Sequence, residues 1–329
     1  MAVSSPVRRP PHIAVLVFEG VRGLDVAGPL EVFDVAGGLG SAYSVAFYST
    51  TEATAVRCAS GLTLHTAPVS ALASEVIDIL FVPGSERVVA DGAPWHLVRT
   101  VRSHAARARR VASIGTGSFA LAAAGVLDGR RATTHWRHLD SFAVRHPSVI
   151  VDRESVYICD GNVWTSAGAA AGIDLALALV CEDHGAAVAQ DISKELVVLG
   201  RRLEGHPQIS VAARTPRPKH PEIDRLLETV NVDPAGHYEL DSVAAQLGIS
   251  PRHLARLFKA QTGMTLRQYV HEVRMENAVA LILAGESFRA AARRSGLHYG
   301  ASVRTHLDAR RTRLLADSRS AKAVSIHAG

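Results

Sequence analysis

Along the first two hundred residues, short uninterrupted apolar runs alternate with longer segments whose apolar side chains recur at helical spacing. The short runs predict buried strands at residues 12–18, 43–49, 77–84 and 108–115, with weaker strand signals near residues 149–151, 156–159 and 163–165. The longer segments predict helices at residues 24–37, 95–107, 117–124, 167–185 and 188–203. We expect the first of these helices to begin near residues 28–30 because of Pro29.

This alternation of strands and helices predicts an α/β unit with a doubly wound, mostly parallel sheet covered by helices on both faces. Ligands of such sheets bind at the carboxyl ends of the strands. We therefore expect residues 18–25, 83–85 and 115–117 to converge on one site.

The second part of the chain has a purely helical pattern. Residues 240–247 predict a helix that ends at Gly248, a residue suited to the left-handed backbone of a tight turn. Ser250 supplies an N-cap and Pro251 a preset first turn for a second helix, which buries Leu254, Leu257 and Phe258. Cations on the opposite face make this pair typical of a helix-turn-helix with its recognition helix. The alternative is an ordinary helical hairpin with a solvated basic face.

A long helix follows at residues 266–283, and residues 288–307 contain a second candidate unit with a supporting helix around 290–292, a turn at Gly296 and a reading helix at 303–307. The run A-x-x-x-G-x-S-x-R-x-L-x-R-x-F-K-x-x-x-G at residues 244–263, with Tyr269, Arg274, Ala278 and Leu281, resembles the DNA-binding domain of AraC/XylS family transcription activators. The second half departs from that family. Gly296 is followed by Leu297 rather than Phe, and the usual Pro and Tyr-Arg ending is missing, so this second helix-turn-helix is degenerate.

Charge and cysteine content agree with a nucleic-acid partner in a reducing compartment. Of the net charge of +5, residues 215–329 carry 17 Lys/Arg against 11 Asp/Glu, whereas residues 1–214 carry 19 against 20. The three Cys, none in a C-x-x-C pair, indicate neither a zinc site nor a disulfide framework, and we expect no metal or cofactor. We see no signal peptide and no membrane-spanning run, so we expect a cytoplasmic protein.

Four segments of the α/β unit carry a second resemblance: residues 20–33, 81–84, 113–136 and 164–177. They are similar to the PfpI-type, class I glutamine-amidotransferase-like domain, which implies a flavodoxin-like fold. Its fusion to an AraC-type reader is the arrangement of GlxA-type regulators.

Enzymes of that superfamily place a nucleophilic Cys on a sharp strand-to-helix turn. The matching residue here is Gly115, so the resemblance implies no covalent catalysis and we expect no enzyme activity. His135 matches the family's partner His, and Asp25 or Glu31 could supply a carboxylate. Structural roles stay open for all three: His135 could bond a neighbouring loop, Asp25 could cap a helix, and Glu31 could be a surface charge.

A helix N-terminus at residues 115–117 would still aim backbone N–H groups at an anion or a carbonyl oxygen. The ligand-binding residues expected from this reasoning are Asp25, Gly84, Gly115, Thr116, Gly117 and His135. The residues expected to contact DNA are Arg252, His253, Ala255, Arg256, Lys259 and Arg304.

The expected organisation is a sensor domain at residues 12–203, an extended Pro-rich linker at 204–221, a DNA-binding domain at 222–317 and a tail at 318–329. The leading hypothesis is a sequence-specific transcription regulator, a homodimer controlled by a small-molecule effector, with double-stranded DNA as its partner and RNA polymerase as a candidate further partner. Two alternatives stay open: a PfpI-type hydrolase or hydratase with an appended DNA-binding domain, and a binding module with impaired DNA recognition.

Overall fold

The structure, a computed structural model, describes residues 9–198, 202–283 and 286–298. The chain divides into two compact units, and the boundary between them falls after Gln208. The first unit contains the sheet and the second is helical.

The first unit is built around a six-stranded sheet with the strand order β2-β1-β5-β6-β10-β9. All neighbouring strands pair in parallel except β9, the antiparallel edge strand beside β10. The strands are β1 (His12–Val17), β2 (Ser44–Ser49), β3 (Ala55–Arg57), β4 (Thr63–His65), β5 (Ile79–Val82), β6 (Arg110–Ile114), β7 (Arg131–Ala132), β8 (Ile150–Val151), β9 (Tyr157–Asp160) and β10 (Val163–Ser166). Strands β1, β5 and β6 are buried along their whole length, as expected where helices cover both faces of a sheet. The predicted doubly wound fold is therefore confirmed.

Among its described residues this unit has seven helices: α1 (Gly23–Gly38), α2 (Glu86–Ala90), α3 (Trp95–Ala105), α4 (Gly117–Ala123), α5 (Leu139–Arg145), α6 (Ala170–His184) and α7 (Ala186–Glu195). The expectation that the first helix begins near residues 28–30 is wrong, because α1 starts at Gly23 and continues through Pro29. Gly172 of α6 approaches Pro29 so closely that a Cβ there would lie 3.1 Å from the proline Cγ. Packing between α1 and α6 offsets the hydrogen bond that the proline cannot donate.

The structure adds two small sheets to the first unit. Strands β3 and β4 form an antiparallel hairpin, and β7 pairs in parallel with β8. β8 falls within the weak strand signal near residues 149–151, whereas β3, β4 and β7 were not predicted. With only two or three residues each, those three strands are too short to show a periodic pattern.

The second unit contains α8 (Val211–Arg214), α9 (Pro221–Val232), α10 (Leu240–Gln246), α11 (Pro251–Thr262), α12 (Leu266–Leu283) and α13 (Phe288–Arg294). Gly248, between α10 and α11, has φ +66° with open space around it, so its backbone conformation is what requires glycine. The Ser250 hydroxyl accepts a hydrogen bond from the His253 N–H and caps α11, as predicted. α12 has the predicted bounds.

The predicted linker is structured at both of its ends. Residues 202–208 belong to the first unit, in which the Gln208 N–H donates to the Glu154 carbonyl. Val211 in α8 is buried in the core of the second unit, and the last linker residue, Pro221, begins α9. The part of the chain that belongs to neither core is therefore shorter than the linker predicted at residues 204–221.

Candidate functional site

Asp25, in the first turn of α1, joins the ends of three strands. It is buried, and its carboxylate accepts hydrogen bonds from the N–H groups of Gly84 (3.2 Å) and Ala169 (2.9 Å). Asp25 follows β1, whereas Gly84 follows β5 and Ala169 follows β10. The alternative in which Asp25 caps α1 is wrong, because the cap position is Arg22 and it makes no side-chain cap bond.

The burial of Asp25 changes its acidity. Desolvation raises the pKa of this carboxyl to about 6, although the Ala169 N–H, the positive charge of Arg22 and the Gly84 N–H act in the opposite direction. Asp25 therefore changes its charge just below neutral pH, a property suited to proton transfer or to sensing a charged ligand.

Gly115 occupies the sharp turn between β6 and α4. Its φ of +54° is left-handed, and its N–H donates to the Ser166 carbonyl at 2.9 Å. A Cβ at this position would lie 3.2 Å from the Gly168 Cα and 3.3 Å from Asp25 Oδ2. A side chain would therefore crowd the loop after β10, which would have to shift by a few tenths of an ångström.

Thr116 and Gly117 pack against the end of β5. The Thr116 hydroxyl donates to the Ser85 carbonyl and accepts from the Ser85 N–H, both at 2.8 Å. A Cβ on Gly117 would lie 2.2 Å from the Val82 carbonyl oxygen. We call the convergence of Asp25, Gly84, Gly115, Thr116 and Gly168 the crevice, and these contacts occupy much of the space that an anion would need.

His135 lies at the edge of the crevice rather than inside it. It is half-buried and caps a short 3-10 turn, in which its Nδ1 accepts from the Arg137 N–H at 3.3 Å. Burial lowers the pKa of His135, and the positive charges of His138, Arg22 and Arg137 lower it further. The neutral ring with Nδ1 as an acceptor carries its proton on Nε2.

A charged rim connects His135 with Asp25. Arg22 forms an ion pair with Glu86 at 2.5 Å, and His138 Nε2 contacts the other oxygen of Glu86 at 3.0 Å. Arg22 and Glu86 influence the pKa of both Asp25 and His135, so the two residues share the same charged neighbours.

The structure therefore brings together most of the residues that we expected near a ligand. Asp25, Gly84, Gly115 and Thr116 meet in the crevice, Gly117 packs beneath it and His135 stands at its rim. Glu31 is exposed on α1, as a surface charge would be. Sequence reasoning missed Arg22, Glu86 and Ala169, although Arg22 and Glu86 directly follow predicted strands and this position could have revealed them.

The second candidate site is the outer face of α11. Leu254 and Phe258 are fully buried, and Phe258 packs edge-on against Tyr269 of α12 with ring centroids 6.0 Å apart. Leu257 is half-buried against the same core. The residues expected at DNA are all exposed: Arg252, His253, Ala255, Arg256 and Lys259. The expected contact at Arg304 and the reading helix at residues 303–307 lie outside the described residues.

The residues that the structure describes contain no group of His, Cys, Asp and Glu side chains arranged to hold a metal ion. Within the same residues, no helix is long and apolar enough to cross a membrane.

The fold and the crevice define an α/β domain with a glycine at its strand-to-helix turn, followed by a helix-turn-helix unit. The chain belongs to the DJ-1/PfpI family, whose model matches residues 11–182, and a helix-turn-helix domain model, of the type found in AraC family regulators, matches residues 243–311. Both predicted resemblances are confirmed.

Both transcription regulators and an enzyme are among the known proteins that resemble this chain. It is 30% identical over 201 residues to the HTH-type transcriptional regulator GlxA of Rhizobium meliloti, a match covering 59% of this chain and 62% of the regulator. It is 34% identical over 192 residues to an isonitrile hydratase of Pseudomonas putida, covering 56% of this chain and 77% of the enzyme. A solved ThiJ/PfpI family protein from Pseudomonas syringae superposes with a TM-score of 0.51 at 26% identity, covering 60% of this chain and 81% of that protein. The chain thus spans less than two thirds of the GlxA regulator.

Proposed function

We propose that this protein is a sequence-specific DNA-binding transcription regulator that reads its operator with α11. The observation that carries this proposal is the division of α11 into two faces. Leu254 and Phe258 fix the helix to its own unit, while Arg252 and Arg256, one turn apart, extend from the opposite face without an ion-pair partner among the described residues. The sequence similarity to the GlxA regulator also supports a role as a transcription regulator.

The first unit serves as a ligand sensor in this proposal. Gly115 offers no nucleophile, and the close approach of Gly168 leaves little room for one. Of the three cysteines, Cys58 is buried, and burial together with Glu19 raises the pKa of its thiol, which disfavours the reactive thiolate. In this proposal the protein acts through binding. We further propose a homodimer in the cytoplasm with RNA polymerase as a further partner.

A continuous set of hydrogen bonds offers a route from the crevice toward the boundary between the units. The Thr134 hydroxyl donates to the Gly115 carbonyl at 3.0 Å. The Gln208 side-chain amide donates to the Thr134 carbonyl at 3.0 Å and to Thr133 Oγ1 at 2.9 Å. A ligand that shifts Gly115 or His135 would weaken or strengthen the hydrogen bonds from Gln208 to Thr133 and Thr134. Gln208 is the residue after which the boundary between the units falls.

The second candidate function is an enzyme of the isonitrile-hydratase kind, favoured by the pKa of Asp25 near 6 and by a neutral His135 that shares the charged neighbours Arg22 and Glu86 with it. Those two groups could transfer a proton to or from a bound water without a covalent intermediate. Assays of the full-length protein with an isonitrile and with glyoxal test this alternative. Turnover that His135→Ala and Asp25→Asn both abolish would establish it.

The role of α11 as the recognition helix is tested with DNA duplexes that the full-length protein selects from a random-sequence pool. Arg256→Ala should weaken binding to the selected duplex about 5- to 150-fold and relax the preference at one base pair, because Arg grips guanine with two hydrogen bonds. Lys259→Ala should weaken selected and unselected duplexes alike and flatten the salt dependence, because phosphate contacts release counterions.

Arg225→Ala is the matched control, because it removes one exposed arginine from α9, where Arg225 pairs with Glu222. It should leave binding nearly unchanged. If Arg256→Ala binds the selected duplex as tightly and as selectively as the wild type, α11 is not the reader.

A further inference from the structure

Two cavities lie beside the crevice and share Arg87 and Glu19 in their walls. The larger, about 730 Å³, is bounded by the loop after β1, the tip of the β3–β4 hairpin and the start of α2. The smaller, about 300 Å³, lies between the ends of β1 and β2 and the other side of α2. Asp25, Gly115 and Thr116 line neither cavity.

The walls of the larger cavity are held in place by hydrogen bonds. The Gly20 N–H donates to the Arg57 carbonyl at 2.9 Å, and the Ala59 N–H donates to the Val21 carbonyl at 2.9 Å. The Ser85 hydroxyl donates to the Gly20 carbonyl at 2.7 Å and so fixes the start of α2 to the same loop. The cavity is therefore a built feature of the fold.

Two arginines of this cavity have guanidinium groups that are unpaired within the described residues. Neither Arg57 nor Arg87 makes a side-chain hydrogen bond or an ion pair there, whereas Arg22 is paired with Glu86. Arg87 extends across Gly20, where a Cβ would lie 3.2 Å from its Nε. Glu19, a negative charge in the walls of both cavities, accepts from the Arg57 backbone N–H rather than from its guanidinium.

The smaller cavity has mainly apolar walls. Phe18, Val56 and Val88 supply apolar surface, and its ionisable lining residues are Glu19, Arg87, Asp91 and His96. Thr50 also lines it, but the Thr50 hydroxyl oxygen is buried so completely that a group in the cavity cannot reach it. The cavity therefore offers apolar contact to a short carbon chain.

We propose that the cavities on either side of Arg87 form a binding site for a small aliphatic carboxylate, with its carboxylate held by Arg87 and Arg57. Its short apolar body occupies the smaller cavity against Phe18 and Val88. A guanidinium matches a carboxylate with paired, charge-assisted hydrogen bonds. The binding site itself does not depend on the proposed function. Only the further step, that this ligand is the effector of the regulator, rests on it.

The test uses isothermal titration calorimetry on the full-length protein with acetate, butyrate, 3-hydroxybutyrate, hexanoate and the uncharged hexanamide. Butyrate and hexanoate should bind saturably, and hexanamide should bind at least about 10-fold more weakly than hexanoate, because it lacks the charge that the arginines recognise. Arg87→Gln should weaken hexanoate binding about 10- to 100-fold, and Arg57→Gln should weaken it in the same direction. Arg153→Gln, an exposed arginine of the same unit that lines neither cavity, is the control and should change nothing.

Acetate and 3-hydroxybutyrate test the smaller cavity separately, because both offer it less apolar surface than hexanoate does. Both should bind more weakly than hexanoate. The absence of saturable binding by every carboxylate up to tens of millimolar would overturn the proposal. So would binding that survives Arg87→Gln but is lost in His135→Ala, which would place the ligand in the crevice. Binding of the selected duplex is titrated in parallel. DNA binding without carboxylate binding would contradict only the ligand site, whereas loss of DNA binding would contradict the proposed function.

Discussion

At Gly115 a left-handed backbone coincides with a close neighbour, Gly168, that a side chain would crowd. Gly129 has a similar φ of +70° but open space around it, so the two glycines separate these effects. We expect Gly129→Ala to cost about 1 kcal/mol of unfolding free energy, from the backbone alone. Gly115→Ala should cost roughly 1–3 kcal/mol more, because its methyl would press on Gly168. Urea titration of the two variants measures the difference, and equal losses would mean that the crevice is looser than its contacts indicate.

Asp25 makes stability depend on pH in a defined direction. Its pKa is about 6 in the folded protein against 3.8 in the unfolded chain, so the folded state binds the proton more tightly. The free energy of unfolding that Asp25 contributes therefore falls as pH rises from about 4 to about 7, by roughly 3 kcal/mol. Relative to the wild type, Asp25→Asn should gain about that much stability across this range.

Urea titrations at pH 4, 5, 6 and 7 measure this relative gain. Asp34→Asn, on the exposed face of α1, controls for the loss of one carboxyl from that helix. A stability difference between Asp25→Asn and the wild type that stays constant with pH would contradict the assigned role of Asp25.

Among the elements, α11 depends on local sequence as much as on packing. Ser250 caps it, and Gly263, with φ +77°, ends it. Ser250→Ala should cost about 1 kcal/mol of unfolding free energy because the His253 N–H loses its acceptor. Ser242→Ala, inside α10, is the matched control and should be nearly neutral, since Ala favours a helix interior. Thermal unfolding followed by circular dichroism compares the two, and an equal effect would argue against the cap.

The elements also differ in how far their sequence determined them. α12 and the turn at Gly248 were predicted because periodicity, capping and glycine placement are local signals. The path of α1 through Pro29 was not, because it depends on contact with Gly172, which is distant in the chain. The candidate site divides similarly. Strand ends revealed Asp25, Gly84 and Gly115, whereas the role of Ala169 depends on a loop that meets Asp25 only in the folded sheet.

At the scale of the whole molecule, control of a reader by a sensor requires that the end of the first unit respond to the crevice. In the proposed mechanism Gln208 would carry that response. Its amide donates to Thr133, Thr134 and, at 3.3 Å, to the Ser155 carbonyl. Its own N–H donates to the Glu154 carbonyl at 2.9 Å, so side chain and backbone hold this residue to the same surface. Thr134 also donates to the Gly115 carbonyl, which connects these contacts to the crevice.

Gln208→Ala should therefore loosen the end of the first unit without unfolding it. Losing buried hydrogen bonds worth about 1–3 kcal/mol should speed amide exchange at Gln208 and Val156, whose N–H groups donate across the same contact, about 5- to 150-fold. Gln190→Ala, an exposed glutamine on α7, is the control and should leave exchange unchanged. Because α11 keeps its cap and core, Gln208→Ala should bind the selected duplex as the wild type does in the absence of ligand. Hydrogen exchange by mass spectrometry measures the first effect and a DNA titration the second. Unchanged exchange at Gln208 would remove it from the route between sensor and reader.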